Sequence, residues 1–269
     1  MRQACAIALL LAGAAAPAFA AEIDAADLRT LPRADVVILG EVHDNPDHHA
    51  NQASAVAALQ PTALVFEMLT RDQAARVTPA NRGDAAALAE ALDWADSGWP
   101  DFAMYHPIFT AAPAAEIFGA ALPREEARAL FGQSAAEAFG PEAALFGLDQ
   151  PLDPDEQAAR EADQLAAHCD AIPEEMLPDM VLVQRLRDAR LAQVALNAVE
   201  SGGGPVAVIT GTGHARTDQG IPAKLAHAAP GIQVLSLGQL EAAPEGDPPF
   251  DLWIVTDPVD RPDPCDAFR

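Results

Sequence analysis

Residues 36–49 read VVILGEVHDNPDHH, an apolar run that stops abruptly at carboxylate and imidazole side chains. The run is apolar throughout, which is typical of a parallel strand covered on both faces of a sheet. Asn45 and Pro46 then supply the residue types preferred at a helix N-cap and at the first helical position. The stretch therefore predicts a buried strand, a short loop that carries Glu41 and His43, and a helix that runs to residue 59.

Two further apolar runs end in the same way. Residues 63–66 (ALVF) lead into Glu67, and residues 206–210 (VAVIT) lead into GTGH, which ends at His214. Strand, helix and strand in succession imply a parallel pair joined by a right-handed crossover. In open α/β sheets, ligands bind beyond the carboxyl ends of the strands. The sequence therefore predicts one functional site formed by Glu41, His43, Glu67 and His214.

The remaining pattern completes an α/β architecture. Short strands are predicted at 116–120 and 233–237. Helices are predicted at 71–77, 83–95, 153–168, 180–196 and 222–228. The predicted fold class is α/β, with a mainly parallel sheet flanked by helices and a central helical elaboration.

The chain is expected to divide into three parts. Residues 1–20 have the short apolar core and final Ala-Phe-Ala of a signal peptide, with cleavage after Ala20. Residues 21–240 are predicted to form a single domain, and residues 241–269 a tail rich in proline and aspartate with a candidate last strand at 252–255. We expect an exported protein, periplasmic or secreted, without the lipid-anchored cysteine of a bacterial lipoprotein.

Two cysteines remain after the predicted cleavage, Cys169 and Cys265. Export would place them in an oxidising compartment, where disulfides form. A disulfide between them would tie the tail to a helix, but sequence spacing does not establish the geometry that such a bond requires. The alternatives of a disulfide and two free thiols both remain open.

The chain is strongly acidic, with a formal net charge of −24. Such a surface repels nucleic acid and anionic lipid, and no stretch approaches the roughly 20 apolar residues of a membrane-spanning helix. We expect neither nucleic-acid binding nor stable membrane insertion. An anionic ligand would need a local positive pocket, and the alternative role for each arginine is solvated surface. The arginines considered for such a pocket are Arg124, Arg185, Arg187 and Arg216.

Six short motifs together match one known family. They are GEVHDN at 40–45, FEM at 66–68, YHP at 105–107, LPR at 122–124, QRLRDA at 184–189 and GTGH at 211–214. Through them the chain resembles the ChaN-like haem-binding uptake proteins of the Tiki superfamily, whose relatives include the erythromycin esterases. The resemblance implies a role in haem or iron uptake, with paired cofacial haems at the interface of a homodimer. It also implies a tyrosine on the iron and histidine near the propionates.

The haem hypothesis singles out Tyr105 as the iron ligand, because a phenolate oxygen favours ferric haem. His106 lies beside it in the sequence, and His48 and His49 begin the first helix, so all three are candidates for the cofactor site. Neighbouring aromatic residues offer an apolar surface for a porphyrin face. These are Trp94, Trp99, Phe102 and Phe109. The competing interpretations are a core aromatic for Tyr105 and a solvated first turn for His48 and His49.

Related branches of the superfamily are hydrolases, so a metal-dependent peptidase or esterase is the alternative function. In that case His43, Glu67 and His214 would bind a divalent metal ion, since neutral imidazoles and carboxylates suit such ions. Glu41 would activate a bound water as general base. The competing interpretation is a buried polar network that holds the loops. Whether the protein is an enzyme stays open at this level.

Overall fold

The fold is that of a computed structural model, which describes residues 20–263 and 265–266. The predicted signal peptide therefore lies outside the described residues, except for Ala20. Among the described residues, no helix is both long enough and apolar enough to cross a bilayer.

A seven-stranded sheet lies at the centre of the described residues. Its strands are β1 (Ala21–Glu22), β2 (Val36–Glu41), β3 (Ala63–Phe66), β4 (Glu116–Gly119), β5 (Val206–Gly211), β6 (Val234–Leu240) and β7 (Leu252–Val255). They lie in the order β1-β7-β6-β2-β5-β3-β4, and every neighbouring pair is parallel. This arrangement confirms the predicted α/β class with a parallel sheet.

Helices cover both faces of this sheet. The α-helices are α1 (Pro46–Leu59), α2 (Arg71–Ala74), α3 (Ala85–Ala91), α4 (Phe102–Ala111), α5 (Arg124–Ala129), α6 (Ala135–Phe139), α7 (Pro154–Ala167), α8 (Leu177–Gly202), α9 (Thr212–Ala215) and α10 (Ile221–Ala228). Short 3₁₀ helices lie at Ala25–Thr30, Trp94–Asp96, Ala143–Phe146 and Glu174–Met176. Helices α5 to α8 separate β4 from β5 and form the predicted central helical elaboration.

Helix α1 begins with the N-cap and the first-position proline that the sequence predicted. The side chain of Asn45 accepts a hydrogen bond from the backbone amide of Asp47, and Pro46 occupies the first helical position. This cap satisfies one of the unpaired amides at the helix start. The β2–α1 loop is thereby held short, with His43 directly above the carboxyl end of β2.

Strand β2 separates two apolar cores, one on each face of the sheet. Val37 and Leu39 pack in the core that α1 and α4 cover, whereas Val36 and Ile38 pack in the core that α8 and α10 cover. Successive side chains of a strand point to opposite faces, so a strand covered on both sides must be apolar at every position. This explains the uninterrupted apolar run from which the fold was predicted.

Strand register brings the ends of β2, β3 and β5 to one edge. Glu41 at the end of β2 lies opposite Gly211 at the end of β5. Phe66 at the end of β3 lies opposite Ile209 of β5. Because all three strands are parallel, the segments that follow them lie side by side, which confirms the predicted convergence of these strand ends.

The segment after residue 240 contributes to the sheet. Its strand β7, at the predicted position, pairs with β6 and β1. A disulfide joins Cys169, just after α7, to Cys265, with the two Cα atoms 5.5 Å apart. The tail is therefore tied to the helical layer, and the alternative of two free thiols does not apply.

Candidate functional site

A cleft lies at the carboxyl edge of the sheet and consists of two adjoining cavities of about 550 and 520 Å³. His43, Gln184 and His214 line both cavities and form the wall that they share. The first cavity extends toward apolar and basic residues. Among these are Met68, Trp99, Leu122, Arg124, Arg187 and Leu191.

The first histidine of the cleft is held by a buried carboxylate. His43 Nδ1 lies 2.7 Å from Glu41 Oε1, and Glu41 is only 2% exposed. A carboxylate accepts hydrogen bonds, so Nδ1 carries the proton and Nε2 is left as the free nitrogen on the cleft side. Burial lowers the pKa of His43, but the hydrogen bond to Glu41 and the charge of Glu67 outweigh it and raise the pKa above 6.5.

Glu41 is itself held from below by α4 and α1. The hydroxyl of Tyr105 donates a hydrogen bond of 2.9 Å to Glu41 Oε1, the same oxygen that His43 uses. His49 Nε2 donates to the carbonyl oxygen of His43 at 2.8 Å, and its Nδ1 lies 3.5 Å from Glu41 Oε2. The Tyr105 hydrogen bond orients the carboxylate, which in turn orients the ring of His43, whereas Glu41 Oε2 has no hydrogen-bond partner among the described residues.

The second histidine of the cleft lies between two carboxylates. His214 Nδ1 donates to Asp188 Oδ1 at 2.6 Å, and its Nε2 lies 3.5 Å from Glu67 Oε1. Glu67 Oε2 accepts from the Thr210 hydroxyl at 2.7 Å and the Gly211 amide at 2.8 Å. Burial lowers the pKa of His214, but Glu67 and Asp188 raise it to about 10. His214 is therefore an imidazolium at neutral pH.

The four predicted residues lie together, but they are not arranged as a metal centre. The described residues contain no group of three or more His, Cys, Asp and Glu side chains that suits a metal ion. The expected set was His43, Glu67 and His214, yet both nitrogens of His214 face carboxylates. The divalent metal ion expected for a hydrolase is not supported by this geometry.

Tyr105 occupies a different position from the one expected of an iron ligand. Its side chain is fully buried, lines neither cavity of the cleft, and donates to Glu41. Burial, together with the charge of Glu41, raises the pKa of Tyr105 far above 10, so a phenolate is disfavoured. The hydroxyl of Tyr105 thus faces Glu41 rather than the cleft, and its role as iron ligand stays a prediction. His106 is half-buried on α4, outside the cleft, with Nε2 3.1 Å from the carbonyl of Arg82.

His48 and His49 are also buried, which corrects the alternative of a solvated turn, and neither lines the two cavities of the cleft. His48 Nδ1 accepts from the Val42 amide at 2.8 Å, and its Nε2 lies 2.8 Å from the hydroxyl of Thr256. Burial lowers the pKa of His48 to about 4, so the ring is neutral. Both histidines therefore hold the β2–α1 loop in place beneath the cleft.

Of the four aromatic residues proposed to face a porphyrin, only Trp99 lines the cleft. Its ring centroid lies 4.8 Å from that of His43. Trp94, Phe102 and Phe109 are buried in the core around α4. The aromatic surface of the site is thus smaller than the sequence suggested.

The role of Asp188 was not recognised from the sequence. It lies on α8, within the QRLRDA motif, and reaches the cleft only because α8 packs across the end of β5. Gln184 and Arg187 share this face of α8 and line the first cavity. Residues three and four positions apart share a helix face, which is the signal in the sequence that places Asp188 beside Gln184.

A clamp between the tail and the β2–α1 loop was also unforeseen. Arg261 donates two hydrogen bonds of 2.8 Å to Asp44, and it also pairs with Glu241. Asn45 Nδ2 donates to Glu241 Oε1 at 2.8 Å. The clamp fixes Asp44 and the helix cap Asn45, which follow His43 of the cleft directly in the chain.

One solved structure shares this fold, with a TM-score above 0.5. The chain aligns over 85% of its length with 89% of ChaN of Campylobacter jejuni, solved with cofacially bound haem, at 21% identity and a TM-score of 0.62. The type III effector HopBA1 aligns at 15% identity over 83% of this chain and 88% of its own, with a TM-score of 0.44. A search of curated protein sequences gives no match.

The family comparison covers most of the described chain. Residues 28–225 match the sequence model of a protein family described as haem-binding uptake, Tiki superfamily, ChaN. This region holds β2 to β5, α1 to α9, the first five residues of α10 and all residues of the cleft. The chain belongs to the ChaN family of haem-binding uptake proteins in the Tiki superfamily.

Proposed function

We propose that this protein binds haem in the cleft and acts in haem or iron uptake. The observation that carries the proposal is the family match over residues 28–225, which contains the whole cleft. The resemblance in fold to a ChaN protein that binds haem supports it. A cavity of about 550 Å³ lies within the range of roughly 300–1,000 Å³ that is common for small-molecule sites.

The residues of the first cavity fit a porphyrin with an iron centre. Trp99, Leu122 and Leu191 provide apolar surface. His43 has a free Nε2, and its Nδ1 is hydrogen-bonded to the carboxylate of Glu41. This second contact fixes the tautomer and raises the basicity of an iron-binding histidine. Haem, when bound there, would supply an iron centre that His43 could hold through this nitrogen. We therefore assign the iron to His43 rather than to Tyr105.

Gly211 keeps the space beside His43 open. A Cβ atom at this position would lie 3.0 Å from His43 Nε2 and 3.7 Å from Glu67 Oε2. Any side chain larger than hydrogen would therefore crowd the free nitrogen. The glycine supports the assignment, because access to Nε2 is the property that an iron ligand needs.

A haemin titration followed at the Soret band tests the proposal. We expect saturable binding by the purified protein, and an altered iron spectrum with weaker binding in His43→Ala. His106→Ala is the matched control, because His106 is half-buried outside the cleft. Binding no tighter than to an unrelated acidic protein would refute haem binding. An unchanged spectrum in His43→Ala would remove His43 as the ligand.

We also propose export to the periplasm or secretion, with a homodimer around the ligand. The signal-like pattern of residues 1–20 supports export, and so does the Cys169–Cys265 disulfide, because disulfides persist in oxidising compartments. The cofacial haems of the Campylobacter jejuni protein motivate the dimer. Cell fractionation tests the location, and sedimentation with and without haemin tests the dimer. A cytoplasmic location, or a monomer in both states, would contradict these proposals.

A hydrolase remains the second candidate, because two carboxylate-bound histidines face one cleft. Glu41 is buried and bonded to His43, so it orients that histidine rather than contacting substrate. In hydrolysis, His43 Nε2 would take a proton from the attacking water, and the His214 imidazolium would give one to the leaving group. Rates on ester and peptide substrates, compared between the protein and His43→Ala, test this. Equal rates in both would refute it.

A further inference from the structure

Arg187 is an unpaired cation inside the first cavity of the cleft. Its side chain is half-buried and lines that cavity. It forms no hydrogen bond or ion pair with any residue that the structure describes. Burial lowers the pKa of Arg187, which reflects the loss of water around the guanidinium. The chain has 40 acidic and 16 basic residues, so an acidic partner for each arginine is in ample supply. An arginine that lines a cleft without such a partner is therefore unusual, and it points to a ligand as the missing partner.

The two acids whose charges act on Arg187, Glu67 and Asp188, are bonded to other groups. Glu67 accepts from Thr210 and Gly211 and faces His214. Asp188 accepts from His214. A guanidinium has five N–H donors, and leaving them unmatched in a partly desolvated site is unfavourable. A ligand anion is the partner that would satisfy them.

A second arginine reinforces the positive charge. Arg124, at the start of α5, lines the same cavity, and its charge contributes to the lowered pKa of Arg187, after burial. Arg124 likewise forms no hydrogen bond or ion pair with a described residue. Two like charges on one cavity wall repel each other, and an anion between them would relieve that repulsion.

The second cavity has a different electrostatic character. Its arginines are neutralised within the protein, since Arg160 pairs with Glu156 and Arg216 pairs with Asp218. The unpaired positive charge therefore lies on one side of His43 and His214 only. This asymmetry would orient a ligand that carries an anionic group at one end.

We propose that Arg187, assisted by Arg124, binds a carboxylate of the ligand in the first cavity. The identification of that group as a haem propionate rests on the proposed function. Arginine suits this role because its planar fork matches both oxygens of a carboxylate. In the same cavity Trp99 and Leu191 would hold the apolar part of such a ligand, while Arg124 of α5 and Arg187 of α8 would hold its carboxylate.

The test compares haemin with its dimethyl ester, which lacks the free carboxylates. The original protein should bind haemin more tightly than the ester, roughly tenfold or more, as expected for a hydrogen bond between charged groups. Arg187→Met should abolish this preference, and Arg187→Lys should restore part of it. Arg216→Met, in the second cavity, is the matched control and should retain the full preference.

Two results would overturn the assignment. One is a preference for haemin in Arg187→Met equal to that of the original protein. The other is an equal loss of affinity for both ligands, which would indicate a structural role.

Failure of the proposed function is distinguishable, because the original protein would then bind neither porphyrin. In that case the melting temperatures of the original protein and of Arg187→Met are measured with and without citrate, a tricarboxylate, at constant ionic strength. A stabilisation that Arg187→Met removes supports the carboxylate site, whereas no stabilisation of the original protein refutes it.

Discussion

Replacing Asp188 by asparagine should lower the pKa of His214 and destabilise the fold. In the native protein Glu67 and Asp188 overcome burial and raise this pKa to about 10, against an ordinary value of 6.5. Since one pKa unit corresponds to about 1.4 kcal/mol, the folded state favours the imidazolium by about 5 kcal/mol. An opposite charge within a few ångströms accounts for roughly 1–3 units. Asp188→Asn should therefore bring the pKa of His214 to about 7–9.

The dependence of the free energy of unfolding on pH follows from the direction of the pKa shift of His214. A histidine whose pKa is raised on folding stabilises the protein fully below 6.5, and the contribution is lost as pH rises through about 10. The loss in Asp188→Asn should be about 1.4–4 kcal/mol at pH 6, since 1–3 pKa units are removed. The difference in stability between the two proteins should shrink as pH rises through 10, because the ring is by then largely neutral in Asp188→Asn and loses its proton in the original protein.

The assay is an NMR titration of the histidine Cε1 protons, with urea unfolding at pH 6 and pH 10. His214→Gln assigns the resonance. Asp218→Asn is the matched control, because Asp218 pairs with Arg216 on the surface and should leave the pKa of His214 unchanged. A His214 pKa near 6.5 in the original protein, or one that stays near 10 in Asp188→Asn, would refute the reasoning.

Three further predictions follow from the contacts around the cleft. Tyr105→Phe should lower the free energy of unfolding by about 1–3 kcal/mol, by leaving Glu41 with one fewer donor, without changing the haemin spectrum; a changed spectrum would restore Tyr105 as a ligand. Haemin affinity should fall as pH drops through the raised pKa of His43, because protonated Nε2 cannot bind iron; a flat profile from pH 5 to 9 would count against this. Reducing the Cys169–Cys265 disulfide should lower the free energy of unfolding by about 2–4 kcal/mol in urea; equal midpoints with and without reductant would disprove it.

Much of the sheet was predictable because a strand buried on both faces leaves a local signal. Strands β2, β3 and β5 needed only their own apolar runs to be recognised, and β3 was predicted at its observed bounds. Their meeting at one edge followed from parallel pairing, which places all carboxyl ends together. Glu41, His43, Glu67 and His214 were therefore grouped correctly before any contact was known.

The orientation of side chains on helices was less predictable. Tyr105, His48 and His49 were assigned to a cofactor, yet all three lie in the buried interface where α1 packs against α4 and the loop. Which side chains of a helix are buried depends on how the helix is rotated about its axis against the sheet. That rotation is set by packing against the elements on both sides of the helix. The local sequence contained no signal that separated a buried histidine from one in a cleft.

The sequence by itself determined the parallel α/β sheet and the site at its carboxyl edge, because apolar runs and the alternation of strands and helices along the chain are local properties. Only the tertiary structure decided which charged side chains pair with each other. Asp188 and His214 are 26 residues apart, and Asp44 and Arg261 are 217 apart. Such pairs depend on how helices cross the sheet and where the tail returns, and both are set by packing of the whole chain. The same packing left Arg187 unpaired in the cleft and Tyr105 bonded beneath it.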